Sequence, residues 1–407
     1  MNPFTPIFGQ IPACLAGRDE IVSAMRSAFD SGWNDPNLSS LIIGPRGVGK
    51  TALASVIANE AEERGWVSAQ VTALPGMLED VYQQGVLASR HIVDSGNARE
   101  LTGIGVAGVL SLEFESSTQT ANWRTRMTQL VEQLNAEGVG LLIVVDEVDS
   151  SLPEMAELSA VYQHFVQEGR KVALLMAGLP GNVSALLGGK STSFLRRARQ
   201  HHLRAIRDDQ VATAMKATLI QVGVSIDEDA LECAVGAVEG YAYMLQLLGY
   251  WAFEQLNGNT HMTLSHVERG LALAENDMRN SVIAQTYGDF SEGDIRFLQA
   301  MLLDEGPSRM ADIARRMGVT ASYASQYRLR LVSLGAIGER GRGKVDFDLP
   351  MLRDYVRQNA GFEGLPSSGI ACIGFDNPMW AMALGEVESL AEDFAQTGCA
   401  AGEVRSS

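Results

Sequence analysis

Three short apolar runs recur in the first half of the chain, at Leu41–Ile43, Leu141–Val145 and Val172–Met176. Each is too short and too continuous for an amphipathic helix, and helical patterns separate them. Buried strands alternating with helices predict an α/β unit over residues 1–207, a parallel sheet covered on its faces by helices. The texture changes at Asp208. From there to Asn280 apolar residues return every three or four positions, in Val211–Val222, Asp229–Val238, Tyr243–Gln255 and Ser265–Asn280, with breaks at Gly240 and Gly258. This predicts a helical segment over 208–284.

A third texture follows over 285–360. Ser291-Glu292-Gly293-Asp294 reads as a capping box opening a helix through Leu303. A second helix begins after Pro307, with Met310, Ile313, Ala314 and Met317 on one face, and ends at Gly318. Thr320 caps a third helix that turns Ala324, Tyr327, Leu331 and Leu334 inward. A Gly- and Arg-rich turn at Gly338–Lys344 precedes a strand in which Val345 and Phe347 alternate. Three helices and a basic wing predict a winged helix-turn-helix. Two segments are less regular. Leu101–Glu115 is Gly-rich and then alternates, as a hairpin or strand insertion does. Residues 361–407 combine Gly, Ser, Ala and acids, which predicts a flexible acidic tail with one amphipathic helix near Pro378–Phe394.

Composition changes the picture in three ways. At 407 residues the chain exceeds one ordinary domain. The four cysteines, Cys14, Cys233, Cys372 and Cys399, form no CxxC pair, so neither a zinc knuckle nor a disulfide framework is expected, and a reducing cytoplasm fits best. No apolar run is long enough to cross a bilayer, and Met1–Arg18 lacks the pattern of a secretory signal, so no membrane partner is expected. The formal net charge of −17 argues against a protein coated in nucleic acid. Between Pro307 and Lys344, however, Arg309, Arg315, Arg316, Arg328, Arg330, Arg340, Arg342 and Lys344 are opposed only by Asp312 and Glu339. That basic island makes duplex DNA the expected partner of the third segment.

The strongest chemical signal is Gly44-Pro45-Arg46-Gly47-Val48-Gly49-Lys50-Thr51, a full GxxxxGK[ST] match between an apolar strand and a helix. Glycines allow backbone N–H groups to turn inward around phosphate, and the helix N-terminus adds its positive dipole end. Lys50 is expected on the β- and γ-phosphates of ATP, and the Thr51 hydroxyl on Mg²⁺. The run Leu141–Val145 ends in Asp146 and Glu147. A buried parallel strand delivers such carboxylates to the sheet's C-terminal edge, Asp146 toward Mg²⁺ and Glu147 toward the attacking water. Arg196 and Arg197, in Ser193–Arg199, fit either an arginine supplied across a subunit boundary or a solvated helix end. His201 and His202 follow and read as surface histidines. In the third segment Ser322, Tyr323, Gln326 and Arg330 lie off the core face of the third helix, and Arg340, Arg342 and Lys344 lie in the wing. These are the candidate DNA contacts, base edges for the helix and phosphates for the wing.

Taken together these residues resemble AAA+ ATPases of the origin-recognition-like and STAND-like branch. Gly17-Arg18-Asp19-Glu20 lies at the spacing of the family's GR[DE] segment, which implies that Gly17 and Arg18 close over the adenine side of the nucleotide. Gly240-Tyr241-Ala242-Tyr243 resembles its G-x-P lid motif. The resemblance covers most of residues 1–360 and implies an ATPase core, a helical lid and a winged helix, with oligomerisation on ATP binding. Two departures stand out. Ala242 replaces the motif's proline. The third apolar run ends Ala177-Gly178-Leu179-Pro180, where relatives carry a polar sensor residue, and Asn182 is the nearest candidate. That departure implies slow hydrolysis. Three functions fit: an initiator- or loader-like ATPase acting on DNA, a nucleotide switch or transcription regulator with little turnover, and an ATPase whose winged helix docks proteins.

Overall fold

The computed structural model describes residues 1–359 apart from Phe8, residues 95–121 and Ser191. The insertion expected at Leu101–Glu115 and the helix expected near Pro378–Phe394 lie outside the described residues. The chain divides into residues 1–356 and residues 357–407.

The unit of residues 1–356 begins with α1 (Asp19–Ser31), β1 (Ser39–Ile43), α2 (Lys50–Glu63), β2 (Trp66–Thr72) and α3 (Met77–Asp94). It continues with α4 (Trp123–Ala136), β3 (Gly140–Asp146), α5 (Pro153–Gln167), β4 (Val172–Gly178), α6 (Pro180–Gly188) and β5 (Arg199–His202). The strands form one five-stranded parallel sheet in the order β2-β3-β4-β1-β5. Side chains alternate across it as the pleat requires. Leu41, Ile43, Leu141, Ile143, Val145, Leu174 and Met176 pack on the face that holds Met77, Leu130 and Leu158 of α3, α4 and α5. Ile42, Leu142, Val144, Ala173 and Leu175 pack on the other face, with Met25 and Phe29 of α1 and Leu53 and Ile57 of α2. Residues of both parities are therefore buried, which is why the central strands are continuous apolar runs.

Apolar patterning predicts three strands here, and the sheet has five. The two additional strands are its edges, where one side lacks a neighbour. β2 mixes Ser68, Gln70 and Thr72 with its apolar residues. β5 is Arg-Gln-His-His, entirely polar, and pairs with β1 through its backbone. Edge strands tolerate polar residues that a central strand cannot hold. His201, read from sequence as a surface histidine, is half-buried on β5 with Nε2 3.3 Å from the Ser40 hydroxyl. Burial, and secondarily Arg199 and His202, depress its pKa.

After β5 come α7 (Asp208–Ile220), β6 (Ser225–Ile226), α8 (Glu228–Val238), α9 (Ala242–Glu254), β7 (His261–Met262) and α10 (Leu264–Met278), with β6 and β7 pairing in parallel. A π-helical turn, Arg279–Ile283, continues α10 into α11 (Ala284–Gly288). Next come α12 (Glu292–Met301), β8 (Ser308–Arg309), α13 (Met310–Arg316), α14 (Ala321–Ser333), β9 (Ile337–Glu339), β10 (Lys344–Phe347) and α15 (Leu352–Asn359). Strands β8, β10 and β9 form an antiparallel sheet in that order. The Ser291–Asp294 capping box is formed on both arms, and the Thr320 hydroxyl accepts from the Tyr323 N–H at 3.3 Å. One hydrophobic cluster runs from Ile206 through Val267, Phe297 and Leu331 to Val356. No helix among the described residues is long and apolar enough to cross a membrane.

Candidate functional site

The sheet topology decides what meets at the site. β4 lies between β1 and β3, so the loops after these three strands converge on the C-terminal edge of the sheet. Gly44–Thr51 leaves β1 and opens α2. Gly47 and Gly49 hold φ of +69° and +92°, conformations that glycine adopts without strain. Asp146 ends β3. Its Oδ2 accepts a hydrogen bond of 2.6 Å from the Thr51 hydroxyl, and its Oδ1 accepts from the Glu147 N–H at 2.8 Å. Glu147 has a φ of +52°, a left-handed conformation that in a non-glycine residue costs on the order of 1–3 kcal/mol and tends to cluster at functional sites. That turn takes Glu147 out of the line of β3 and places it among the residues lining a cavity beside the P-loop.

Lys50 is 5% exposed, and its Nζ donates to the Pro45 carbonyl of its own loop at 2.9 Å. Burial pushes its pKa down. The carboxylates of Glu147 and Asp146 counter this, while Arg46 adds to the depression. A buried ammonium opposed by a neighbouring cation gains from an anion at this position.

The cavity has a volume of about 460 Å³, within the range of small-molecule sites. One wall is the P-loop from Arg46 to Ala52. A second wall is an N-terminal strap for which the sequence carries no motif: Thr5, Ile7, Gln10, Pro12, Cys14 and Leu15 all line the cavity. The strap is fixed to α9. Asn2 donates to the Tyr250 carbonyl at 3.0 Å and to Glu254 at 2.8 Å, and the Thr5 N–H donates to Gln246 at 3.0 Å. Buried Phe4 fills the space that a β-carbon on Gly249 would take. A third wall comes from Ala242, Tyr243 and Gln246 of α9 and from Ser281, Val282, Gln285 and Thr286 around the π-helical turn. Such turns recur at functional sites.

Arg18 is 7% exposed and braces the site, donating from Nη2 to the Val48 carbonyl at 3.3 Å and the Arg204 carbonyl at 3.0 Å. It lines the cavity; Gly17, with a φ of +67°, turns the chain beside Gln210 and does not. The Gly240-Tyr241-Ala242 segment reaches the P-loop itself. The buried Tyr241 hydroxyl donates to the Arg46 carbonyl at 2.6 Å, and the Tyr243 N–H donates to the Gly47 carbonyl at 3.1 Å. A side chain on Gly47 would collide with the Tyr241 phenol. Tyr241→Phe leaves that carbonyl without its donor and is expected to weaken nucleotide binding by about two- to tenfold, the equivalent of one hydrogen bond. Titration with a fluorescent ATP analogue checks it, and unchanged affinity would remove Tyr241 from the site.

The remaining candidates are placed elsewhere. Arg196 and Arg197 lie in the short 3-10 turn Ser193–Arg197. Both are exposed, Arg196 donates to the Leu187 carbonyl at 2.8 Å, and neither lines the nucleotide-sized cavity. On α14, Ser322, Tyr323 and Gln326 are exposed, and the Tyr327 hydroxyl donates to that of Tyr323 at 3.0 Å. The basic island is partly neutralised by acids that mostly lie outside it in sequence. Arg316 pairs with Asp304, Arg328 with Glu339, Arg340 with Asp348, and Arg330 with Asp294. Arg309, Arg342 and Lys344 are exposed and form no ion pair among the described residues; Arg309 stands opposite Lys344 in the β8–β10 ladder.

Residues 15–175 match the AAA ATPase domain family, and residues 280–356 match a domain of unknown function, DUF8462. No curated protein matches the chain in sequence. Among solved structures, the fold is similar to that of the ORC2 protein of Aeropyrum pernix, solved in ADPNP–ADP complexes, at a TM-score of 0.57 and 16% identity over 87% of this chain and 97% of that one. It is also similar to the Walker-type ATPase PABY2304 of Pyrococcus abyssi, at a TM-score of 0.61 and 14% identity over 84% and 96%. The fold is thus α/β, with a P-loop AAA+ core like that of ORC2.

Proposed function

We propose that the chain binds and hydrolyses ATP at this cavity and couples nucleotide binding to duplex DNA through a winged helix at residues 285–360. The observation that carries the reading is the meeting of Lys50, Thr51, Asp146 and Glu147, from two strands about a hundred residues apart, beside one cavity. The donor set fits ATP and Mg²⁺. Thr51 and Asp146 offer adjacent oxygens, the ligand type that Mg²⁺ prefers. When bound, the ion neutralises charge on the phosphates. Lys50 and the backbone N–H groups of Gly47–Lys50 would hold phosphate oxygens. Glu147 orients water and accepts its proton. The strap and α9 wall the side of the cavity away from the sheet strands that carry the acids and would receive the rest of the nucleotide.

Slow turnover is favoured by one feature. β4 is the strand between the P-loop strand and the acidic strand, and it runs into Leu179 and Pro180, which offer no polar side chain to a water. In this reading the site is nearer a switch than a motor, and Arg196 or Arg197 of a second copy supplies the missing charge on assembly. An ATPase assay with and without duplex DNA separates the two cases. Turnover that rises with DNA supports an initiator- or loader-like role, and binding with negligible turnover in both conditions supports a switch.

DNA binding is assigned to α14 and the β9–β10 wing. Ser322 and Gln326 face solvent and suit base edges, while Arg342 and Lys344 suit phosphates. Replacing Arg340, Arg342 and Lys344 together with Ala is expected to weaken binding to every duplex sequence and flatten the salt dependence by about three units of slope at most. Arg340 contributes least, because Asp348 already holds it. If the triple variant binds DNA like the parent across a salt series, the segment docks proteins instead.

A further inference from the structure

The C-terminal end of α14 is seated on the ATPase core. Ser333, in its last turn, lies against Gly181 at the start of α6, where any β-carbon would collide with the serine. Two residues later Gly335, with a φ of +72°, abuts the P-loop, and a β-carbon there would stand 2.5 Å from Pro45 Cβ. A file of charges runs beside this contact. Arg46 of the P-loop reaches the Asp289 carboxylate at 3.1 Å. The Asp289 carbonyl accepts from Arg330 Nη2 at 3.2 Å, and Arg330 Nε lies 3.0 Å from Asp294 Oδ2. Asp294 is fully buried. Its Oδ2 also serves the Ser291 cap, and its Oδ1 has no hydrogen-bond partner. The strong end of the file is therefore Arg330 with Asp294, and the weak end is Arg46 with Asp289, where both side chains are about half exposed.

We propose that Arg46 and Asp289 form a nucleotide-sensitive clamp holding α14 against the P-loop, and that the phosphates of ATP open it by competing with Asp289 for Arg46. The inference rests on the cavity being the ATP site. Arg46 sits within the loop that would wrap the phosphates and, like Lys50, lines the cavity itself. The Asp289 N–H donates to the Gln285 carbonyl one turn back, and Gln285 and Arg46 both line the cavity, so a polyanion bound there competes with the Asp289 carboxylate for Arg46. The Asp289 carbonyl is an acceptor for Arg330, so once the carboxylate is released from Arg46 this backbone is free to shift, which loosens the hold on Arg330 and with it part of the seat of the helix that carries Ser322 and Gln326. Linkage then requires that whatever opens the clamp also favours nucleotide.

The test uses the full chain, Asp289→Ala and the closer isostere Asp289→Asn, with a non-hydrolysable ATP analogue and Mg²⁺. Both variants are expected to bind the analogue about two- to fivefold more tightly than the parent, the yield of removing a half-exposed competing carboxylate. Hydrogen exchange gives the second readout. In the parent the analogue is expected to speed exchange over residues 284–294 and 330–336, and in the variants exchange there is already fast without nucleotide. If the parent binds the analogue, but the variants bind it no more tightly and exchange in these segments ignores nucleotide, the clamp is overturned while the ATP site stands. If the parent binds no analogue at all, the site assignment fails and the clamp fails with it.

Discussion

Lys50→Ala is expected to abolish measurable ATP binding in a chain that stays folded. The ammonium is buried, close to both Asp146 and Glu147, and donates to a carbonyl of its own loop. On phosphate binding it exchanges that neutral acceptor for charged oxygens, which adds ion–ion attraction to a hydrogen bond that its own charge already strengthens. Alanine removes this charge and leaves Glu147 and Asp146 facing the phosphates with less compensation. The two losses act in the same direction, so the effect exceeds that of one ordinary contact. Calorimetric titration with ATP and Mg²⁺, alongside circular dichroism to verify folding, measures it. Parent-like affinity in a folded Lys50→Ala protein would show that the loop is not the phosphate cradle.

Glu147→Gln should separate binding from chemistry. The substitution keeps the side chain's size at a position whose backbone is already held in a left-handed conformation, so the site should keep its shape. It removes the negative charge and the proton acceptor. Turnover should fall by about a hundredfold or more, in line with the contribution of a positioned general base. ATP affinity should hold or improve, because a carboxylate near the phosphates has been neutralised. Steady-state phosphate release and nucleotide titration on the same preparation check both halves. An unchanged rate would mean that another residue orients the water.

The elements that carry this chemistry were legible in the sequence for a physical reason. β1, β3 and β4 are central strands, buried on both faces, and burial writes itself as an apolar run. The P-loop must turn at Gly47 and Gly49, and only glycine does so freely, so the turn is written as a motif. The strands at the sheet's edges were not legible, because β5 needs only backbone pairing and leaves Arg199, Gln200 and His202 exposed. The outer walls of the cavity were not legible either. Thr5 and Gln246, or Arg46 and Asp289, meet through tertiary packing over about 240 residues of separation, and no spacing rule connects them. The basic island illustrates the converse limit. Counting charges gave eight cations against two acids, but Asp294, Asp304 and Asp348 lie outside the counted window and engage Arg330, Arg316 and Arg340 in space.

The N-terminal strap also has a consequence for the order in which the chain can assemble. During synthesis the strap emerges well before its partners Gln246, Tyr250 and Glu254, which follow some 240 residues later. The five-stranded sheet is complete by His202, so the strands can pair while the mouth of the cavity is still missing. Such long-range closure is intrinsically slow, because the loop entropy must be met before any contact rewards it. A nascent or truncated chain ending before α9 would therefore hold a P-loop without a pocket. Nucleotide capture reports that the two ends of this unit have found one another, and free nucleotide in the cell stabilises that late-formed closure by mass action.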